Sequence, residues 1–384
     1  VHDPAFGCIL NHRFFYRRPA AQEEQAVPSS YGIQSIRKFL QNKITQEKIH
    51  MKRILAGILT GLFFAGICLA KDNPQASSYK THRTTDEKAP VVYFVKTITP
   101  DSLVQVYQAT GWRPEGKVGV KISTGEPPAS NYLRPELIKK LVQSVNGVIV
   151  ECNTAYGGSR SSTAMHYQVV KDHGFLAIAP FDLLDEEGAV SIPVKGGTRL
   201  TEDFVGSHFK NYGSYIVLSH FKGHSMGGFG GAIKNLSIGF ASGVSGKVSG
   251  KAWIHTAGKS KTYFLYGGME KNQKGFLESM AEAAKAVDDY MHGHIVYINV
   301  MNRLSVDCDC DGNPAEPDMH DIGILASTDP LAVDQACIDM VYSAPDSGSL
   351  IDRIESRDGL TQLEHGAAVG LGSGSRSYRL VTLR

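Results

Sequence analysis

The feature that most restricts the fold of this chain is an alternation that begins at Val91. Apolar runs at 91–95, 118–122, 148–152, 175–179, 215–219, 295–300 and 322–326 lack period-2 patterning. Such runs read as strands buried on both faces. Between them, residues 101–107, 134–145, 163–172, 276–291 and 329–341 carry helical spacing. Leu137, Ile138, Leu141 and Val142 fall on one helical face, as do Met280, Ala283, Ala284 and Val287. Asp329 and Pro330 supply an N-cap and a first-turn proline. Strands alternating with helices predict an α/β fold: a largely parallel or mixed sheet with helices on both faces, in Rossmann-like layers. A Gly- and Ser-rich tail after Gly359 is expected to end in an edge strand at 378–383.

Residues 1–90 stand outside this pattern. Met51 opens what reads as a signal peptide, with Lys52 and Arg53 as its charged start and 54–67 as its apolar stretch. Cys68-Leu69-Ala70 offers small residues for cleavage, so the mature chain is expected to start at Lys71 and to be exported to the periplasm or the medium. A membrane anchor needs a longer run, and lipidation of Cys68 is disfavoured by the bulky Ile67 before it. Residues 1–50 are expected to be a disordered upstream extension, and 71–90 a flexible lead-in. Residues 91–384 then form a single α/β domain.

Charge bears on partners only after that division. The whole chain carries a net +2, but bases outnumber acids nine to four in residues 1–70, leaving −3 for the rest. No basic excess points to nucleic acid, and nothing beyond the signal peptide points to a membrane. A small-molecule ligand or cofactor is the expected partner; the oligomeric state is not legible.

Ligands of such sheets bind beyond the carboxyl ends of the strands. The densest candidate there runs from Ser219 to Gly239. His220 and His224 follow a strand end, Gly227, Gly228, Gly230 and Gly231 come next, and Lys234 and Asn235 follow. Close-spaced glycines let backbone N–H groups approach a ligand. The spacing is neither a phosphate-binding Walker loop nor a dinucleotide fingerprint. The reading is a ligand cradle with Lys234, His220 and His224 pointing in, and Lys234 lying outside the core.

The second candidate is Asp307-Cys308-Asp309-Cys310-Asp311-Gly312. Three readings stand side by side: a calcium loop of Asp307, Asp309 and Asp311 with Asp318 closing it; thiolate chelation of a soft metal by Cys308 and Cys310, with His320 or a distant His completing the shell; and a disulfide or plain acidic loop. Cys152 and Cys337 read as core. His166, His173, His292 and His294 read as solvated, as does the acidic run of Asp182, Asp185, Glu186 and Glu187.

The segments Lys222-Gly223-His224, Gly227 to Gly239, Arg134-Pro135-Glu136, Tyr156 to Arg160, Asp321 to Leu325 and Asp329 to Asp334 together resemble the signature of domain-of-unknown-function family 362. That family is described as iron–sulfur centre proteins because many members carry a ferredoxin-like cysteine insert. No such insert follows His255 here. The chain is also distantly similar to the nickel-dependent lactate racemases. That resemblance implies a cofactor-bearing lysine at Lys234, a His at either His220 or His224, and His255 as a further metal ligand. Thr154, Tyr156 and Arg160 stand where those enzymes have a catalytic His. The expectation is an exported, metal-dependent enzyme, its metal being iron–sulfur, nickel or zinc. The alternatives are a metal-binding or redox module and a calcium-stabilised binding protein.

Overall fold

The computed structural model describes residues 79–243, 248–262 and 272–384. The extension, the signal peptide and the start of the lead-in lie outside the described residues. Along the chain the strands are β1 (Val91–Val95), β2 (Val118–Lys121), β3 (Val148–Glu151), β4 (Phe181–Leu183), β5 (Ala189–Pro193), β6 (Glu202–Gly206), β7 (Ser214–His220), β8 (Lys222–His224), β9 (Gly228–Gly230), β10 (Ile295–Met301), β11 (Gly323–Ser327) and β12 (Arg379–Thr382). The helices are α1 (Pro100–Ala109), α2 (Pro135–Ser144), α3 (Thr163–Asp172), α4 (Ala232–Phe240), α5 (Gly250–His255), α6 (Gln273–Met291), α7 (Pro330–Ser343), α8 (Gly348–Glu355) and α9 (Thr361–Val369).

Eight strands form one mixed sheet in the order β12-β1-β11-β10-β7-β2-β3-β4, while β5–β6 and β8–β9 are separate hairpins. The run from β10 through β7, β2 and β3 to β4 is parallel, and β11 is antiparallel to both of its neighbours. The fold is therefore α/β, as the alternation predicts.

The central strands explain why no period-2 pattern shows. Tyr215 and Val217 of β7 join one apolar cluster with Leu236 of α4, Met280 of α6 and Val333 of α7. Ile216 and Leu218 join the opposite cluster with Leu103 of α1 and Ile138 of α2. Both faces are covered, so every position wants an apolar side chain. Each fully buried Leu, Ile or Val contributes about 1.5–3 kcal/mol of transfer free energy. Local signals agree with the packing: Asp329 Oδ1 accepts from the Ala332 N–H at 2.8 Å to cap α7, and Thr99 does the same for α1.

Three expectations need correction. Residues 175–177 form a 3₁₀ turn rather than a strand; the strand is β4, three residues long at the sheet edge. The lead-in is tied down from Tyr79 onward: Tyr79 stacks on Tyr342 at 4.0 Å and bonds Asp339 Oδ1 at 2.8 Å. Asp339 Oδ2 accepts from the His82 N–H and the Tyr378 hydroxyl, so one carboxylate holds the segments that lead into β1 and β12 at one edge of the sheet. The tail after Gly359 contains α9 before the expected edge strand β12. No helix among the described residues is long and apolar enough to cross a membrane.

Candidate functional site

A cavity of about 380 Å³ opens where β2, β3 and β7 end and the segment 307–312 returns after β10. It lies at the sheet edge where such folds bind ligands. Five cationic side chains line it: Lys121, Arg160, Lys222, Lys234 and Lys251.

The glycine segment does not form the loop expected from the sequence. It folds as the β8–β9 hairpin followed by α4, with Lys222 opposite Gly230 and His224 opposite Gly228. Gly228 has φ of 78°, and a Cβ there would sit 2.8 Å from the Cα of Gly359. A Cβ on Gly231 would sit 2.2 Å from Asp334 Oδ1. That carboxylate occupies the amino terminus of α4, accepting from Ala232 N–H at 2.7 Å and Ile233 N–H at 2.9 Å. Burial pushes the Asp334 carboxyl up to about 6 against these bonds. The freed N–H groups of the helix thus meet the chain's own acid. Of the four glycines, Gly230 and Gly231 line the cavity, and Gly227 instead donates its N–H to His224.

Lys234 differs from the other four cations. Lys121 bonds Asn235 Oδ1 at 2.9 Å and the Ile122 carbonyl at 2.7 Å. Lys222 bonds Asp309 Oδ2 at 2.9 Å, Lys251 bonds the Ala241 carbonyl, and Arg160 pairs with Glu126 and Glu151. Among the described residues, no hydrogen bond or ion pair reaches the Lys234 ammonium. Burial lowers its pKa to about 7, nearby Lys222 adds to the shift, and Asp309 opposes it. Burial likewise brings Lys121 down to about 8. The sequence placed Lys234 outside the core; it is half-buried, with its head group on the cavity.

The three histidines take separate roles. His220 Nδ1 meets Asp309 Oδ1 at 2.7 Å and Nε2 meets the Asn302 carbonyl at 2.6 Å. Both ring nitrogens are engaged, so His220 positions its neighbours. His224 Nδ1 accepts from the Gly227 N–H at 2.8 Å and the Met226 N–H at 3.2 Å, which places the proton of its neutral ring on Nε2. Burial, with Lys234 next, holds His224 well below the usual range. His255 Nδ1 donates to the Lys251 carbonyl at 2.6 Å, and its ring stacks on Phe276. Burial takes it down to about 3.

Cys308 and Cys310 are joined in a disulfide. Of the readings open in the sequence, this is the one the structure holds; the sulfurs are thiolate ligands only once reduced. The calcium loop does not form. Asp309 turns inward to His220 and Lys222, Asp307 pairs with Arg353, Asp311 caps the Asn313 N–H, and Asp318 accepts from Ser349. His320 pairs with Asp346 in an exposed position away from the sulfurs. Two groups of potential metal donors converge among the described residues: Asp182, Glu186 and His208 away from the cavity, and at the cavity a ring nitrogen of His224 and both sulfurs, within 4.8 Å of one another. Among the described residues the other cysteines, Cys152 and Cys337, are buried and free. Four cysteines, the usual ligands of an iron–sulfur cluster, do not converge.

Several residues of the site are not evident from the sequence. Glu151 ends β3 and accepts from Thr124 N–H and Oγ, His166 and Arg160. Burial works against its charge, yet Arg160 and His166 hold its carboxyl well below the usual range. His166, expected to be solvated, is fully buried in this network, and Asp185 is buried too, accepting from the Asn153 and Gly243 N–H groups. A Lys and a Glu each ending an otherwise apolar strand were the available signal.

No curated protein matches the chain. Among solved structures, the lactate racemase apoprotein from Thermoanaerobacterium thermosaccharolyticum is 14% identical, with 54% of this chain and 50% of that one covered at a TM-score of 0.33. A crystal structure of a protein from Thermotoga maritima is 9% identical, with 70% of this chain and 58% of that one covered at a TM-score of 0.35. The chain thus spans about half the length of the first and 58% of the second. A family model described as Domain of unknown function (DUF362) matches residues 118–339. That span is more than half of the chain and holds every residue lining the cavity, from Lys121 to Gly312; the chain belongs to the DUF362 family.

Proposed function

We propose that this chain is an exported enzyme whose cavity binds a small anionic organic molecule, with Lys234 as its reactive amine. The observation that carries the reading is the unpaired Lys234 head group among four other cations that each have a partner. Its pKa of about 7 leaves the amine divided between two states at neutral pH. The ammonium attracts an anion; the free amine serves as base or nucleophile. His224, with its proton on Nε2, is a neutral donor beside it, and Asp309 fixes Lys222 and His220. Export rests on the pattern of residues 51–70.

Pyridoxal phosphate, an anionic aldehyde, tests the site directly. After borohydride reduction, peptide mapping should find Lys234 labelled ahead of the exposed lysines, with inorganic phosphate slowing the reaction. Labelling confined to exposed lysines would remove the proposal.

A second reading is a metal centre at His224, Cys308 and Cys310. It requires the reduced pair and release of the Nε2 proton of His224, and such donors suit a soft ion such as zinc or nickel. Metal analysis of the protein before and after reduction tests it; metal in neither form discards it.

A further inference from the structure

We propose that Cys308 and Cys310 are a redox-active pair that exchanges with a small anionic thiol admitted to the cavity, Cys310 being the sulfur attacked and Cys308 the sulfur released. The choice of an anionic thiol rests on the function proposed above; the exchange itself rests on the sulfurs and their surroundings.

The disulfide is poorly explained as a staple. Cross-links stabilise by restricting the unfolded chain, and the effect grows with the loop they close. This one closes over a single intervening residue. Its place is also wrong for a core staple, because both sulfur-bearing residues line the cavity.

The two ends are not equivalent. Cys310 is half-buried and reachable from the cavity, whereas Cys308 is buried. The Cys310 N–H already donates to Cys308 Sγ at 3.1 Å. That bond strengthens when the acceptor becomes a thiolate. A ring nitrogen of His224 lies within 4.8 Å of both sulfurs, and Lys222 and Lys234 line the same cavity. Lys222 is matched by Asp309 and His224 is neutral, so the charge in the cavity that favours a thiolate is that of Lys234.

The residue between the cysteines keeps them in place. Asp309 bonds His220 and Lys222 through separate carboxylate oxygens. Neither bond depends on the disulfide, so the two thiols stay side by side after reduction.

The chemistry closes without a further reagent. A thiolate attacks Cys310 Sγ; the S–S bond breaks, and its electron pair leaves on Cys308 Sγ, which takes up a proton. A second molecule of the small thiol attacks the mixed disulfide at the small thiol's own sulfur and releases Cys310 as a thiol. Two small thiols are oxidised to their disulfide, and the protein disulfide is reduced to two thiols. A small anionic disulfide reverses the sequence.

The test uses the full chain, intact-mass analysis and peptide mapping. Wild-type protein in excess reduced glutathione should gain two alkylatable thiols, at Cys308 and Cys310, while still folded by circular dichroism. The Cys308→Ser variant, offered glutathione disulfide, should form its adduct on Cys310 about tenfold faster than with the cationic disulfide cystamine, as expected for electrostatic attraction into a basic cleft. The Cys310→Ser variant should react more slowly than Cys308→Ser. A disulfide opened by glutathione only after unfolding, or Cys308 reacting as fast as Cys310, would overturn the exchange. Equal rates with glutathione disulfide and cystamine would overturn the anionic thiol, and the anion-binding cavity with it, while the thiol count reports the exchange separately.

Discussion

The end of β3 and the head of Lys234 on α4, both on the cavity, treat charge in opposite ways. Around Glu151 each charge is matched: Arg160, His166 and Thr124 converge on one carboxylate, and Glu126 takes the other side of Arg160. On α4, by contrast, Lys234 is left without a counter-ion among the described residues. Burying an unpaired charge is expensive. The matched network therefore reads as structure, and the unmatched amine as a cost that a bound anion offsets.

The comparison breaks most visibly at Glu151. Glu151→Gln removes the charge and one of the two acceptor oxygens that hold the buried Arg160 and His166, so a loss of about 3–5 kcal/mol is expected in denaturant unfolding. The pH dependence has a definite sign. The Glu151 carboxyl titrates below its ordinary value in the folded chain. Its stabilising contribution is present above the ordinary carboxylate range and is lost as pH falls below it. A variant as stable as wild type would mean that the network is not what holds this edge of the sheet.

A smaller effect is expected at Gly231, on the border of the two regions. Gly231→Ala places a methyl against Asp334 Oδ1, so the acid must withdraw from the first turn of α4. Overpacking and the strained cap should cost about 1–3 kcal/mol, and labelling of Lys234 should slow because α4 carries that side chain. Unchanged stability would show that the contact relaxes freely.

The smallest stability effect belongs to Lys234. At pH 10, where the amine is neutral, Lys234→Met should change stability by no more than about 1 kcal/mol while removing the labelling. Its sign with pH sharpens the contrast with Glu151. The folded pKa of about 7 lies below the ordinary 10.5, so the unfolded chain binds more protons between these values. Wild-type stability should gain from this group as pH rises from 7 toward 10.5, and Lys234→Met should lose that gain. Equal slopes for the two proteins, measured by urea titration at several pH values, would show that the amine is paired.

Much of the fold was legible because central strands are buried on both faces, which leaves continuous apolar runs; 175–179 has such a run and is a 3₁₀ turn. Helix α3 has the expected bounds, and β2, β3, β7, β10 and β11 lie within a residue or two of theirs. β4 was not legible: it is a three-residue edge strand containing Asp182, too short for any period, beside the apolar 175–179. The location of the site was legible, its wiring was not. Lys234, His220 and His224 were all placed at the cavity. The helix α4 was hidden by its glycines, and the acid that caps it stands 102 positions away in the chain. The role of Asp309 was not legible, and a calcium loop stood among three open readings, because its partners His220 and Lys222 lie nearly ninety residues upstream. Pairings of that range come from topology, which no local spacing encodes.

The Asp339 carboxylate has a mechanical consequence. It holds Tyr79 and His82 from the amino-terminal side and Tyr378 from the carboxyl-terminal side, and just beyond, β12 lies parallel to β1. A pull applied upstream of Tyr79 meets this knot before it reaches the sheet, and a pull on Arg384 loads β12 along its length, so that its backbone bonds share the force in shear. Both attachments lie at the rim of the sheet, on the opposite side of β11 and β10 from the strands that end at the cavity. The link to the cavity is α7 itself: Asp339 sits on this helix shortly after Asp334, which holds the amino terminus of α4, so tension at the knot reaches the helix that carries Lys234.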